Sequence, residues 1–175
     1  MTRALLLFSP LGVAVAFALE GPAVARETHL LDFEFQDQFE HVHRRSDVEG
    51  SIVLLIGSDK GGSQFNQLWG KAIHDSLADH PRYSQISHLA YSDLRGVPFF
   101  LKGMIRGKFP EDPKHWVMMD WKGEVAKAYD FAPKSSNVLV FAPDGALVHH
   151  TSGREPDDDD IQTVVAILRD LLDDS

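Results

Sequence analysis

The chain has 175 residues, a net charge of −9 at neutral pH and 43% hydrophobic residues, which suits one globular domain with a substantial core. It contains no cysteine, so it forms no disulfide and uses no thiol in catalysis. Its excess of acidic residues repels phosphate over the surface as a whole, which argues against nucleic acid and anionic lipid as partners.

The first 25 residues have the pattern of a secretory signal peptide. Arg3 precedes an apolar run that is too short to span a bilayer, and Ala23 and Ala25 supply the small residues of an A-x-A cleavage site. We therefore predict that residues 1–25 are removed. Residues 26–175 are then expected to form one soluble domain in the periplasm or outside the cell.

The mature chain begins with a predicted hairpin and a buried strand. The segments "LLDFEF" and "HVHR" flank the polar stretch "QDQFE", which predicts two short antiparallel strands. The run "SIVLLIG", from Ser51 to Gly57, is apolar without alternation, which is typical of a central strand covered on both faces.

A helix and a second strand are predicted next. Apolar residues recur at spacings of three and four, which places them on one helix face that ends near Pro81. These are Phe65, Leu68, Trp69, Ala72, Ile73 and Leu77. The segment "ISHLAY" then predicts a strand.

The middle of the chain predicts further short elements. In "PFFLKGMIRGKF", Pro98 suits a first helical turn and the apolar side comprises Phe100, Leu101, Met104 and Ile105. "HWVMMD" predicts a strand and "EVAKAYDF" a short helix. Phe99, Phe100 and the three tryptophans, Trp69, Trp116 and Trp121, are expected to be core or half-buried, although "PFF" would also suit a partner-binding patch.

The end of the chain predicts a hairpin and a closing helix. In "NVLVFAPDGALVHH" the Pro143-Asp144-Gly145 turn joins two antiparallel strands, and a helix follows from about Asp158 to Leu172. The acidic run Asp157–Asp160 precedes this helix. It is interpreted as a cap that complements the helix dipole, because four consecutive carboxylates cannot all reach one calcium ion.

This order of elements predicts an α/β fold with a mixed sheet covered on both faces. The block "HWVMMDWKGEVAKAYDFAPKSSNVLVFAPDGALVHH" is similar to the C-terminal half of exported thioredoxin-like proteins of the TlpA and peroxiredoxin type. "YSDLRGVPFFLKGMIRGKFPEDPKHWVMMDWKGEVAKAYDF" resembles the exported, cysteine-poor YtfJ-like proteins. The resemblance implies a thioredoxin-like fold with an N-terminal β-hairpin, in a periplasmic family whose function is not established.

The redox chemistry implied by the wider superfamily does not transfer. Its active members carry a reactive cysteine in the turn after the first core strand, where this chain has Gly61, Gly62 and Ser63. They also place a cis-proline before the final hairpin, and Ser136 or Asn137 occupies that position here. The chain is therefore predicted to be redox-inactive.

The turn "GSDKGGS" supplies the candidate binding residues Ser58, Lys60, Gly61, Gly62 and Ser63, with Ser136 added because it aligns with the cis-proline of the redox-active relatives. Free N–H groups at the start of a helix could hold a phosphate or carboxylate, with Lys60 adding charge. A purely structural turn and a docking surface for an envelope protein are the other interpretations. No cofactor and no catalytic residue is predicted.

Nine histidines raise the question of a metal site. His41 and His43 alternate along a strand and share a side, and His149 and His150 lie on another, so a site would require the two strands to converge. Exposed strand histidines are the alternative.

The leading hypothesis for function is a redox-inactive binding or adaptor module of the cell envelope. A metal-handling protein or non-thiol enzyme is the alternative. The partner and the oligomeric state are left open.

Overall fold

The structure is a computed structural model that describes residues 27–174, so the predicted signal peptide lies outside the described residues. The strands are β1 (Glu34–Gln36), β2 (Val42–Arg44), β3 (Ile52–Ser58), β4 (Ile86–Asp93), β5 (Met118–Asp120), β6 (Ser136–Phe141) and β7 (Leu147–Gly153). The α-helices are α1 (Ser63–Leu77), α2 (Lys102–Arg106), α3 (Glu124–Ala128) and α4 (Asp158–Asp173). Short 3-10 turns cover Arg45–Val48, Tyr83–Gln85, Phe99–Leu101 and Pro113–His115.

The strands form one mixed sheet in the order β2-β1-β5-β4-β3-β6-β7. β3 runs parallel to β4 and antiparallel to β6, and β4 runs parallel to β5. The predicted N-terminal hairpin pairs Phe35 with His43 and joins the sheet through β5, while the final hairpin forms the other end. The predicted mixed sheet with an N-terminal hairpin is confirmed.

Alternate residues of β3 enter two separate cores, as the unbroken apolar run predicted. Ile52 and Leu54 pack with α1 and α4 on one face of the sheet. Val53 and Leu55 pack with α3 and the N-terminal hairpin on the other. Because β3 lies between β4 and β6, the turn that follows it lies at the C-terminal end of an interior strand of the sheet.

Helix α1 buries a narrower face than its periodicity predicted. Trp69, Ile73 and Leu77 are fully buried against the sheet, and the Trp69 indole donates to the Gly153 carbonyl at 3.3 Å. Leu68 is 46% exposed, so its predicted inward position is wrong. It is adjacent in sequence to Trp69, which places it about 100° around the helix from that buried side chain.

Helix α3 is held in place by a buried aspartate. The Asp120 carboxylate accepts from the backbone N–H groups of Lys122, Gly123 and Val125, at 2.8–3.1 Å. It also accepts from the Tyr91 hydroxyl at 2.9 Å, and burial followed by the nearby Asp120 charge raises the pKa of Tyr91 well above its ordinary value. This arrangement fixes the short helix against the end of β5.

The start of α4 confirms the predicted acidic cap. The Asp157 carboxylate accepts from the Asp160 backbone N–H at 2.8 Å, and three more aspartates occupy the first turn. Among residues 27–174 no helix is both long and apolar enough to cross a bilayer.

Candidate functional site

The turn after β3 is closed by a carboxylate from within the turn itself. Asp59 Oδ1 accepts from the Gly62 backbone N–H at 2.9 Å, and both Asp59 oxygens lie 3.1–3.2 Å from the Lys134 backbone N–H. The Phe65 N–H donates to the Gly62 carbonyl, closing the first turn of α1. The Asp59 carboxylate thus takes up the Gly62 N–H that an external anion was predicted to contact.

The loop before β6 packs directly on this turn. A Cβ atom placed on Gly62 would lie 2.2 Å from the Ser135 carbonyl oxygen, a separation that no real side chain tolerates. Asn137 shapes the loop, because its side chain accepts from the Ala132 N–H and donates to the Ala132 and Ser135 carbonyls. Glycine at position 62 is therefore required by close backbone packing.

Three of the six predicted binding residues are buried. Ser58, Gly62 and Ser136 have almost no accessible surface in this structure, and their assignment as binding residues stays a prediction. The Ser58 hydroxyl accepts instead from the Asn66 amide at 3.0 Å, beneath the first turns of α1. Ser136 Oγ and Asn66 Oδ1 are buried atoms without a hydrogen-bond partner among the described residues.

The other three predicted residues remain on the surface. Lys60, Gly61 and Ser63 are exposed, and the Lys134 side chain crosses over Gly61, with its Cγ 2.8 Å from where a Gly61 Cβ would stand. Sequence reasoning did not assign roles to Asp59 and Lys134. Asp59 carried a signal, since an aspartate three residues before a helix-starting glycine is a frequent turn-closing residue.

The N-terminal hairpin contains a buried aspartate surrounded by two of the predicted histidines. Asp37 accepts from the backbone N–H groups of Phe39 and His41 and from His43 Nε2 at 3.0 Å, and His41 Nδ1 lies 3.4 Å from the same carboxylate. Burial alone would raise the pKa of Asp37, but these hydrogen bonds outweigh it and hold the pKa below its ordinary value. His43 also stacks on Trp116, with ring centroids 3.9 Å apart.

The convergence that a histidine metal site would require does not occur. His41 and His43 flank or lie in β2, and His149 and His150 lie in β7, at the opposite end of the seven-stranded sheet. Within residues 27–174 no group of three or more histidine, aspartate or glutamate side chains is placed to hold a metal ion. Burial lowers the pKa of His149, with Asp160 partly offsetting the effect.

The connection from β4 to β5 is anchored on the N-terminal hairpin. We call residues 94–117 the crossover. The Gln38 side chain donates to the Pro110 and His115 carbonyls and accepts from the Val117 N–H, at 2.9–3.1 Å. Arg106 of α2 pairs with Glu40 and donates to the Gln36 side chain. One side of the crossover is therefore fixed by hydrogen bonds across about 70 residues of sequence.

The other side of the crossover exposes large apolar side chains. Phe99 and Phe100 are 84% and 81% exposed and Met104 is 61% exposed, so the expectation that the two phenylalanines are core or half-buried is wrong. Pro98 lies just before the 3-10 turn with an extended backbone, rather than inside a helix. Single exposed apolar residues are ordinary, but three within six residues form a patch typical of an interaction surface.

Comparison with solved structures places the chain in the thioredoxin-like fold class. A protein assigned as thiol:disulfide interchange protein DsbE from Chlorobium tepidum superposes with a TM-score of 0.59 at 16% identity, over 85% of this chain and 99% of that one. The exposed lipoprotein thioredoxin Etrx1 from Streptococcus pneumoniae gives 0.55 at 20% identity, over 78% and 99%. A SCO1/SenC family lipoprotein from Bacillus anthracis gives 0.55 at 10% identity, over 82% and 95%. At these identities the likeness establishes the fold alone.

The family model described as "Bacterial protein of unknown function (YtfJ_HI0045)" matches residues 43–171, so the chain belongs to this family, as the sequence resemblance indicated. No curated protein matches it in sequence. With no cysteine at the turn or elsewhere, this chain cannot carry out thiol–disulfide exchange of its own.

Proposed function

We propose that this protein is a redox-inactive binding module of the cell envelope that engages its partner through the crossover. The observation that carries the proposal is the exposure of Phe99, Phe100 and Met104 on a connection whose opposite side is fixed by Gln38 and Arg106. Exposed apolar side chains on a rigid support bind with little loss of conformational entropy.

The closed turn supports binding rather than catalysis. A thiolate in this position must be accessible to attack a disulfide, whereas here Gly62 is packed against the Ser135 backbone and the exposed residues of the turn include no thiol. Ser58 is buried, its hydroxyl accepts from the Asn66 amide, and a serine hydroxyl cannot cycle through a disulfide. We expect insulin reduction and peroxide turnover by the purified protein to equal the buffer blank.

An envelope location is part of the proposal. It is supported by the predicted signal peptide, and by structural neighbours that include an exposed lipoprotein and a second lipoprotein. Mass spectrometry of the cellular protein should find an N-terminus at Arg26. Protein that still carries Met1 would contradict export.

The crossover can be tested with two matched double variants in fractionated cells. Phe99→Ser/Phe100→Ser removes two exposed phenyl rings from the crossover. Leu68→Ser/Val148→Ser removes two apolar side chains that are 46% and 43% exposed elsewhere. We expect only the first variant to lose association with the particulate envelope fraction; equal association of both variants with the wild type would refute the role of the crossover.

We propose a second contact, with a small anionic ligand, at the turn itself. It is supported by the exposure of Lys60 and Lys134 beside Gly61. Because Asp59 already binds the Gly62 N–H, this contact depends on the lysine side chains rather than on the helix start. A thermal-shift titration with inorganic phosphate at low salt should lose its response in Lys60→Glu; an unchanged response would exclude Lys60.

A further inference from the structure

The crossover differs in charge from the rest of the chain. Its first part, Leu94 to Pro110, has four basic residues, Arg95, Lys102, Arg106 and Lys108, and no acidic residue. Residues 111–117 add Glu111, Asp112 and Lys114, so the crossover as a whole carries +3 in a chain of net charge −9. Electrostatic interactions fade within about 8 Å at physiological ionic strength, so a nearby surface responds to this local charge more than to the total.

Two of these four cations remain available to a partner. Arg95 pairs with Asp93 and Arg106 pairs with Glu40, so their charges are compensated. Lys102 and Lys108 form no ion pair within residues 27–174. The Lys102 ammonium lies 5.6 Å from the centroid of the Phe99 ring and 4.8 Å from that of Trp121, which sets a positive charge beside the exposed phenyl rings.

The apolar side chains protrude and do not line a receptor cavity. Phe99 and Phe100 are neighbours on one 3-10 turn, and both are more than four-fifths exposed. Two clefts in the described part of the chain, of about 270 Å³ and 210 Å³, are lined by other residues, including Trp116 in the first and Pro143 in the second. A protein partner would have to supply a pocket for two adjacent phenyl rings, whereas a fluid lipid surface needs no preformed pocket.

We propose that residues 98–108 are a peripheral membrane contact that binds the surface of a bilayer containing anionic phospholipid. Phe99, Phe100 and Met104 enter the boundary between headgroups and acyl chains, and Lys102 and Lys108 contact lipid phosphates. This inference rests on the proposed function and names the partner of the same surface. It departs from the expectation drawn from total charge, because the contact segment itself, residues 98–108, contains no acidic residue.

The support of the crossover suits this role. Gln38 and Arg106 fix its inner side to the N-terminal hairpin, so the phenyl rings are presented without reordering of the backbone. The Lys102 ammonium lies over the rings of both Trp121 and Phe99, and these cation–π contacts keep the lysine side chain beside the exposed phenyl rings. Insertion therefore requires the crossover to change little from its conformation in the free protein.

The test is co-sedimentation with vesicles of phosphatidylglycerol and phosphatidylcholine in equal parts, and with vesicles of phosphatidylcholine alone. All variants carry the same N-terminus, so any contribution from it is common to them. We expect the wild type to partition onto the anionic vesicles and Phe99→Ser/Phe100→Ser to bind about tenfold or more weakly. Lys102→Glu and Lys108→Glu should each weaken binding about fivefold. Leu68→Ser/Val148→Ser should bind as the wild type does.

The outcomes separate this inference from the proposed function. Equal binding of wild type and Phe99→Ser/Phe100→Ser, or no wild-type binding to anionic vesicles, overturns the lipid contact. If the wild type ignores vesicles while the phenylalanine variant still loses its envelope association in cells, the partner is a protein and the proposed function stands. Unchanged thermal unfolding of the phenylalanine variant verifies that it is folded, since both rings lie outside the core.

Discussion

The turn after β3 and the crossover after β4 both extend from the ends of parallel strands, yet one is closed and the other is open. At the turn, Asp59 binds the Gly62 N–H and the Ser135 backbone covers Gly62, so only exposed side chains such as Lys60 and Lys134 remain for a ligand. At the crossover, polar residues fix the inner side and leave Phe99 and Phe100 in solvent. Under the proposed function, a scaffold without a redox-active cysteine places its binding surface elsewhere on the same fold.

The largest expected difference in unfolding free energy is between alanine substitutions at two glycines, one in the turn and one in the crossover. Gly62→Ala places a Cβ 2.2 Å from the Ser135 oxygen, whereas Gly103→Ala in α2 meets no atom within 4 Å. We expect Gly62→Ala to lower the free energy of unfolding by about 3 kcal/mol or more. Gly103→Ala should leave it unchanged or raise it by up to about 1 kcal/mol. Urea unfolding measures both, and equal effects would show that the turn is not closely packed.

Removing the carboxylate that closes the turn is expected to have the next largest effect. Asp59→Ala removes the carboxylate that accepts from the Lys134 N–H, whereas the Gly62 N–H keeps the Asp59 backbone carbonyl at 3.1 Å; we expect a cost of about 1–2 kcal/mol in unfolding free energy. Asp59→Asn retains one acceptor oxygen and should lose less. Chemical denaturation of the three proteins gives the values, and identical stability of Asp59→Ala and wild type would mean that water replaces the carboxylate without loss.

The support of the crossover can be probed through the pH dependence of Asp37. The pKa of Asp37 in the folded protein lies below its ordinary value of 3.8, so its ionised form stabilises the fold above that pH. This contribution is lost as the pH falls through the lower, folded-state pKa. Asp37→Asn should cost about 1–2 kcal/mol near neutral pH, and its difference from wild type should shrink in acid.

Exposed Asp32 provides the control for the pH experiment. Asp32→Asn should follow the wild-type stability profile at every pH. A constant difference between Asp37→Asn and wild type down to the acid limit would show that Asp37 ionisation does not support the hairpin.

The smallest effects on stability are expected from two single charge reversals, one at the turn and one in the crossover. Lys60→Glu and Lys108→Glu alter exposed lysines, so each should change the unfolding free energy by less than about 0.5 kcal/mol. Only Lys108→Glu should reduce vesicle binding, and only Lys60→Glu should reduce the response to phosphate. If either variant alters both measurements equally, the two regions do not act independently.

Local sequence patterns predicted helices and strands well where the same hydrophobic pattern continued over a long segment. The unbroken run of β3 and the three-and-four spacing of α1 correspond to observed elements, because side-chain burial repeats with the period of the backbone. The same reasoning misplaced Leu68 and the Phe99-Phe100 pair. An apolar residue is buried only where another helix, strand or loop packs over it. The local hydrophobic periodicity does not say whether such an element is present.

The candidate site was only partly predictable for a related reason. Lys60, Gly61 and Ser63 are exposed as a binding turn requires, but Ser58 and Ser136 lie beneath it. Whether histidines from the two strands could meet depended on sheet order. That order separates β2 from β7 by the full width of the sheet, and each strand's sequence is compatible with either arrangement.

The sequence by itself determined the absence of thiol chemistry and the thioredoxin-like order of elements, because composition and local periodicity are properties of the chain alone. Only the tertiary structure decided that Asp59 meets Lys134 across 75 positions and that Gln38 holds the crossover from a distance of more than 70. Such contacts depend on which strands become neighbours. Strand order is decided by the packing of whole faces and not by the residues that finally touch.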